Sequence, residues 1–172
     1  FAGITTSNYA SVSGWVNLDS LGTSAVNDSA IFSSHSNNAH MVLLWYNADG
    51  AGSGNPTYSF NIGATGTGTN RVNGPASTAV ASAWQHVVGT YNMGTKKLYV
   101  NGVLKATQAN STTQISPVHQ HFYIGAAQGL NNNYRMDGKI DDLRVYNIEL
   151  TQTNISSIYN SGSGDIGSPV SN

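Results

Sequence analysis

The chain has 172 residues, a formal net charge of −1 and only 9% charged residues, against roughly a quarter in ordinary soluble domains. That length suits one domain with a substantial core, and so few, scattered Lys and Arg exclude a phosphate backbone as the natural partner. The absence of Cys removes disulfides, thiolate catalysis and Cys-ligated zinc together, and the longest apolar run, residues 41–46, falls far short of the roughly 20 that span a bilayer.

Apolar and polar residues alternate along most of the sequence, which is the period of a half-buried strand. In chain order this predicts strands over 10–18, 30–34, 41–47, 58–62, 84–92, 97–100, 103–108, 122–126 and 138–146. In Tyr58-Ser59-Phe60-Asn61-Ile62 the aromatics and Ile62 share one face and the polar residues the other. In the first strand Trp15 has the opposite phase to Val12, Val16 and Leu18, so it is either a solvent-facing platform or covered by a neighbouring element. Clusters of Gly, Asn, Asp and Pro, as at 47–56, punctuate the strands. Asn101-Gly102, between two apolar runs, predicts a tight type I′ hairpin, because both central residues of that turn need positive φ.

Toward the C-terminus, Ile140-Asp141-Asp142-Leu143-Arg144-Val145 changes its apolar spacing from three to two. A β-bulge at the two Asp residues would put all three apolar side chains on one face. One Asp would then lie at the rim, within reach of a cation, and the other could pair with Arg144. Thr151 is a helix cap, with Leu150 stapling onto Ile155, and a helix is predicted over 152–159. Ile155, Ile158 and Tyr159 share one of its faces, and Gly162 ends it; the helix should plug the sandwich rim. These elements make an all-β fold: an antiparallel two-sheet jelly-roll sandwich with one short C-terminal helix over 1–162, followed by a tail or linker at 163–172.

The stretch Gly138-Lys139-Ile140-Asp141-Asp142-Leu143-Arg144-Val145-Tyr146-Asn147, followed by Leu150-Thr151 and a short helix, resembles the closing strand of laminin-G-like jelly rolls of the concanavalin A-like lectin and glucanase group. Val12-Ser13-Gly14-Trp15-Val16, Trp84-Gln85-His86-Val87-Val88-Gly89-Thr90-Tyr91, Leu98-Tyr99-Val100-Asn101-Gly102 and Tyr123-Ile124-Gly125 agree in order and spacing. The resemblance implies the fold, a structural role for His86, and a calcium ion at the rim, of whose ligands only Asp141 lands on the family's motif. Such domains usually open with a further strand carrying Asp residues. Only residues 1–8 precede Tyr9 here, with no Asp among them. The strand over 138–146 is therefore expected to present an open edge, to be covered by residues 1–6, by the tail or by another copy of the chain.

Catalysis is constrained by inventory. Retaining glucanases use two carboxylates about 5 Å apart, whereas this chain has a single Glu, Glu149, beside the helix cap. Asp141 and Asp142 are adjacent and point to opposite faces of an extended strand. Polysaccharide β-elimination would draw on His119, His121, Tyr123 and Gln128, but their spacing matches lyase motifs poorly and the chain offers few cations for an acidic polymer. Two imidazoles sharing a face, His119 and His121, lack a third ligand for zinc. The sequons at Asn27, Asn110 and Asn154 are what a chain rich in Asn, Ser and Thr produces by chance.

Sugar binding needs an exposed aromatic and planar amide or carboxylate groups. Trp45 and Tyr46 are candidates, as is the loop Asn131, Asn132, Asn133, Tyr134 and Arg135, in which amides surround an aromatic and a cation. The expected function is a non-catalytic module that binds a neutral glycan or surface polysaccharide, or mediates adhesion. With no initiator Met ahead of Phe1, it reads as a mature domain outside a cell, on its surface or on a virion. The alternatives are a structural or decoration subunit that polymerises through sheet edges, and, below that, a polysaccharide lyase.

Overall fold

A computed structural model of the protein describes residues 8–21, 29–36, 39–47, 56–62, 71–109, 121–127 and 135–162. Ten strands and one helix follow in order: β1 (Tyr9–Leu18), β2 (Ser29–Ser36), β3 (Ala39–Asn47), β4 (Thr57–Ile62), β5 (Arg71–Asn73), β6 (Trp84–Asn92), β7 (Thr95–Val100), β8 (Val103–Ala109), β9 (His121–Ile124), β10 (Gly138–Tyr146) and α1 (Gln152–Ser161). They form two five-stranded sheets, β10-β1-β6-β7-β8 and β5-β4-β3-β2-β9, with every pairing antiparallel. The two-sheet sandwich expected from the alternation is the one observed. The three-residue strand β5 was too short for the pattern to declare.

The alternation sorts side chains as the sequence requires. Val12, Val16, Leu18, Val87, Tyr91, Leu98 and Val100 of the first sheet meet Ile31, Leu44, Tyr46, Tyr58, Phe60 and Ile62 of the second in one buried core. Gly89 sits on this inner face, where a Cβ would run into the Phe60 ring. Asn101 and Gly102 have φ of 52° and 76°, so the β7–β8 hairpin turns as expected. Met93 and Gly94, at φ 41° and 98°, make a second two-residue turn between β6 and β7 that no sequence signal marked.

The phase change in β10 resolves as a bulge. Ser13 pairs with Arg144 and Trp15 with Asp141, leaving Asp142 and Leu143 both opposite Gly14. Asp142 takes a φ of 46°, and Ile140, Leu143 and Val145 all pack against the core. Asp142 accepts a hydrogen bond from Arg144 Nε at 2.7 Å. Among the described residues β10 is paired on one side only, with β1.

The helix starts with a capping box: Asn154 N–H donates to Thr151 Oγ1 and Thr151 N–H donates to Asn154 Oδ1. Leu150 and Ile155 pack together with Val88 and Tyr99, so the segment lies on the outer face of the first sheet and not only at its rim. Gly162 ends the helix for a reason the sequence did not show. Its φ is −119°, outside the left-handed region, but a Cβ would come 2.7 Å from Trp15 Nε1. Close approach to the indole, rather than a left-handed cap, selects glycine here.

Candidate functional site

The outer face of the second sheet carries the polar half of the alternation. Val72, Phe60 and Leu44 point inward, which turns Arg71, Asn73, Ser59, Asn61 and Trp45 outward. The register aligns Trp45, Ser59 and Asn73 in one row across β3, β4 and β5, and sets Asn61 beside Arg71 in the next. The Arg71 guanidinium carbon lies 5.7 Å from the centre of the Trp45 ring, within cation–π range. Ser59 Oγ donates to Asn73 Oδ1 at 2.7 Å. On the far side of Trp45, Ala30 and Ala127 pack beside it, and His121 and Tyr123 follow on β9 with ring centres 6.1 Å apart.

Two donors on this face, Trp45 Nε1 and Arg71 Nε, are shielded from solvent and have no hydrogen-bond partner among the described residues. Buried donors are almost always satisfied, and leaving one unmade costs about 1–3 kcal/mol. Ser59 and Asn61 are buried, at 0% and 4% exposed, so the partly exposed Trp45 ring, Arg71 and Asn73 are the groups that a hydroxyl-rich ligand would meet.

The sequence candidates divide against this geometry. Trp45 holds the centre of the face. Tyr46 is corrected: it is 1% exposed and packs edge-on against Tyr58 at 6.5 Å, because adjacent strand residues take opposite faces. Arg135 is exposed and its carbonyl accepts from Ser29 Oγ. Asn131, Asn132, Asn133 and Tyr134 lie outside the described residues, as do His119 and Gln128. Arg71, Asn73, Ser59 and Asn61 were missed as site residues. The polar face of β4 was legible, but without β5 nothing supplied its partners.

At the rim, Asp141 Oδ1 accepts the Asp142 N–H at 2.8 Å, while Asp142 is committed to Arg144. Among the described residues no three acids or histidines gather around a point, and calcium takes six to eight oxygen ligands. The described donors at Asp141 do not make that site.

Glu149 and His86 serve the fold. Burial pushes the Glu149 pKa up, but the hydrogen bonds from Lys97 and Asn92 outweigh it and hold the carboxyl below its ordinary value. That is the opposite of what a general acid needs. His86 is fully buried, with Nε2 2.9 Å from Ser13 Oγ. Burial lowers its pKa from 6.5 to about 4, against a smaller opposing pull from Asp142. The Ser13–His86 pair lies under α1, where Tyr159 stacks on Trp15 at 5.6 Å and on His86 at 6.1 Å. Trp15, 5% exposed, is thus the covered aromatic and not a platform.

Comparison with known proteins follows this geometry. A family model described as the concanavalin A-like lectin/glucanases superfamily matches residues 2–156. No curated protein sequence matches the chain. Among solved structures, a Bacteroides ovatus protein assigned to carbohydrate binding aligns with a TM-score of 0.69 and 18% identity, covering 88% of this chain but 41% of its own length. The heptameric SAP-like pentraxin of Limulus polyphemus aligns at 0.70 with 20% identity, covering 91% of this chain and 71% of the pentraxin. Domain 4 of an extracellular GH43 arabinanase from Geobacillus stearothermophilus, in complex with arabinotriose, aligns at 0.63 with 21% identity, covering 91% and 69%. At such identities these likenesses show a shared fold, and the chain spans about two fifths of the Bacteroides protein.

Proposed function

Because the chain belongs to the concanavalin A-like lectin/glucanase superfamily, we propose that it is a non-catalytic glycan-binding module whose site is the Trp45–Arg71 face of the second sheet. The observation that carries this reading is the pair of unpartnered donors, Trp45 Nε1 and Arg71 Nε, beside an aromatic ring on a polar face. A neutral pyranose would stack on the indole as the guanidinium turns to its hydroxyls, with the partly exposed Asn73 supplying an amide contact. Adhesion outside a cell or on a virion surface is the setting this reading favours. Its neighbours in structure include a domain complexed with arabinotriose and a protein assigned to carbohydrate binding. Among the described residues no helix is long and apolar enough to cross a membrane.

A glycan array followed by calorimetry on the best neutral hit tests the site. Trp45→Ala is expected to weaken binding at least about tenfold, roughly 1.4 kcal/mol. Absence of any neutral glycan hit, or a variant that binds as well as the parent, overturns the proposal. A calcium ion beside Asp141 is a separate proposal drawn from the resemblance alone, and a melting temperature unmoved by millimolar calcium would dismiss it.

A second reading, a self-assembling structural subunit, is favoured by one observation: β10 and β8 end the first sheet, each paired on one side among the described residues, and β8 carries a single charged residue, Lys105. Light scattering that shows a monomer at high concentration would remove it. The lyase reading finds no support in the described geometry, since His121 and Tyr123 stand on an open face with no base and acid arranged around a common point.

A further inference from the structure

A cleft of ≈ 340 Å³ opens where the β7–β8 hairpin meets the segment after β5, within the size range of small-molecule sites. Its back wall is tied together by hydrogen bonds. Gln85 accepts from the Tyr58 hydroxyl and the Val80 N–H and donates to the Thr78 carbonyl. The groups left over are donors. Asn101 uses its Oδ1 to accept the His86 N–H at 2.9 Å, so its NH₂ group has no partner among the described residues. Ser77 and Lys105 also line the cleft and have no hydrogen-bond or ion-pair partner there. Ser77 and Asn101 are held at φ of 58° and 52°, a backbone region a serine adopts only under constraint. No acid lines the cleft, while Pro75, Ala76 and Val103 supply an apolar wall.

An ammonium has three donors and no acceptor, and an amide NH₂ has two. Such a set selects an acceptor-rich anion, and charge-assisted bonds to a carboxylate are the strong ones. The wall suits the C–H face of a ring. We propose that this cleft is a second site, for a single carboxylate-bearing monosaccharide such as a terminal uronate, with the carboxylate at Lys105 and Asn101 and the ring against Pro75 and Val103. One ammonium fits one acidic terminus, whereas an acidic polymer needs many cations. The choice of a sugar over a free carboxylate rests on the glycan-binding reading; the cleft itself does not.

Amide-resolved NMR titration with glucuronate, glucose and acetate on the intact chain tests it. Glucuronate is expected to shift the Ser77, Asn101 and Lys105 amides and to bind about tenfold more tightly than glucose or acetate. Lys105→Gln should cost about tenfold for glucuronate and leave the melting temperature unchanged, with Ser77→Ala as a second, milder variant. Equal response to acetate, shifts confined to the Trp45 indole, or full affinity in both variants overturns the proposal. Trp45→Ala should leave the glucuronate response intact, so failure of the neutral-glycan site remains distinguishable from failure of this one.

Discussion

The two outer faces of the sandwich each carry an outward-facing Trp on an interior strand, Trp15 on β1 and Trp45 on β3, yet they have opposite fates. On the first sheet several outward polar groups are tied within the chain, although Thr90 Oγ1 and His86 Nδ1 are buried with no partner among the described residues. Ser11 Oγ donates to the Ile148 carbonyl and accepts the Leu150 N–H, Glu149 is clamped by Lys97 and Asn92, and Trp15 lies between His86 and Tyr159. On the second sheet Trp45 has a guanidinium over it and amides alongside. Both indole N–H groups lack partners among the described residues, so the indole alone does not separate them. What differs is the cover: Tyr159 and α1 leave Trp15 5% exposed, whereas Trp45, Arg71 and Asn73 remain partly exposed.

Trp15→Ala should break the sealed face outright. It removes the stack that holds Tyr159 and leaves a cavity between helix and sheet, for a loss of about 3–5 kcal/mol in denaturant unfolding. A loss below 1 kcal/mol would mean that α1 docks without the ring. The same face should also respond to acid. His86 stays neutral in the folded chain down to about pH 4, whereas its ordinary value is 6.5. Over that window the unfolded chain binds more protons, so stability falls as the pH falls from 6.5 toward 4 and levels off below. The loss attributable to His86 is up to about 3 kcal/mol. Unfolding curves across this window for the parent and His86→Gln should differ in slope; parallel pH dependence would show that another group is responsible.

Between the faces, one inner residue breaks the apolar pattern. Lys96 follows the phase of Leu98 and Val100, is fully buried, and its Nζ has no partner among the described residues. Burial lowers its pKa from 10.5 to about 8. An unpaired buried cation is costly, so Lys96→Met should stabilise by about 1–2 kcal/mol. Because the unfolded chain keeps its proton to higher pH, parent stability should rise from pH 8 to 10.5, and the variant should lose that rise. A destabilised variant would reveal an anion or water that holds the ammonium.

Most of the architecture was legible because period-two alternation directly encodes which side chains face inward. The β10 bulge could be read from three apolar residues in two phases, and the hairpin from Asn101-Gly102. The site was harder. Tyr46 looked as suitable as Trp45 in composition, and only the burial phase, fixed by Leu44 and Tyr58, removes it. Arg71 stands in a three-residue strand far from Trp45 in sequence, and it reaches the ring only through the register of β3, β4 and β5. Cross-strand placement of this kind is set by pairing, which a local pattern does not carry. Lys96 was overlooked for a related reason, since Lys is almost never fully buried without a partner.

The smallest stability effect belongs to the open face and sharpens the contrast most. Arg71 is partly exposed and makes one identified contact, the Trp45 ring. A cation–π contact at such a site contributes about 0.5–1 kcal/mol, and removing an unmade buried donor offsets part of that loss. Arg71→Gln should therefore shift unfolding by less than about 1 kcal/mol, an order well below Trp15→Ala, while neutral-glycan affinity falls about tenfold. Arg71→Lys keeps the charge but loses the planar fork, so it should bind as weakly as the Gln variant if geometry matters and recover if charge alone does. Were Arg71→Gln to unfold the domain while leaving binding intact, the second face would prove as structural as the first, and its open donors would belong to the fold rather than to a ligand.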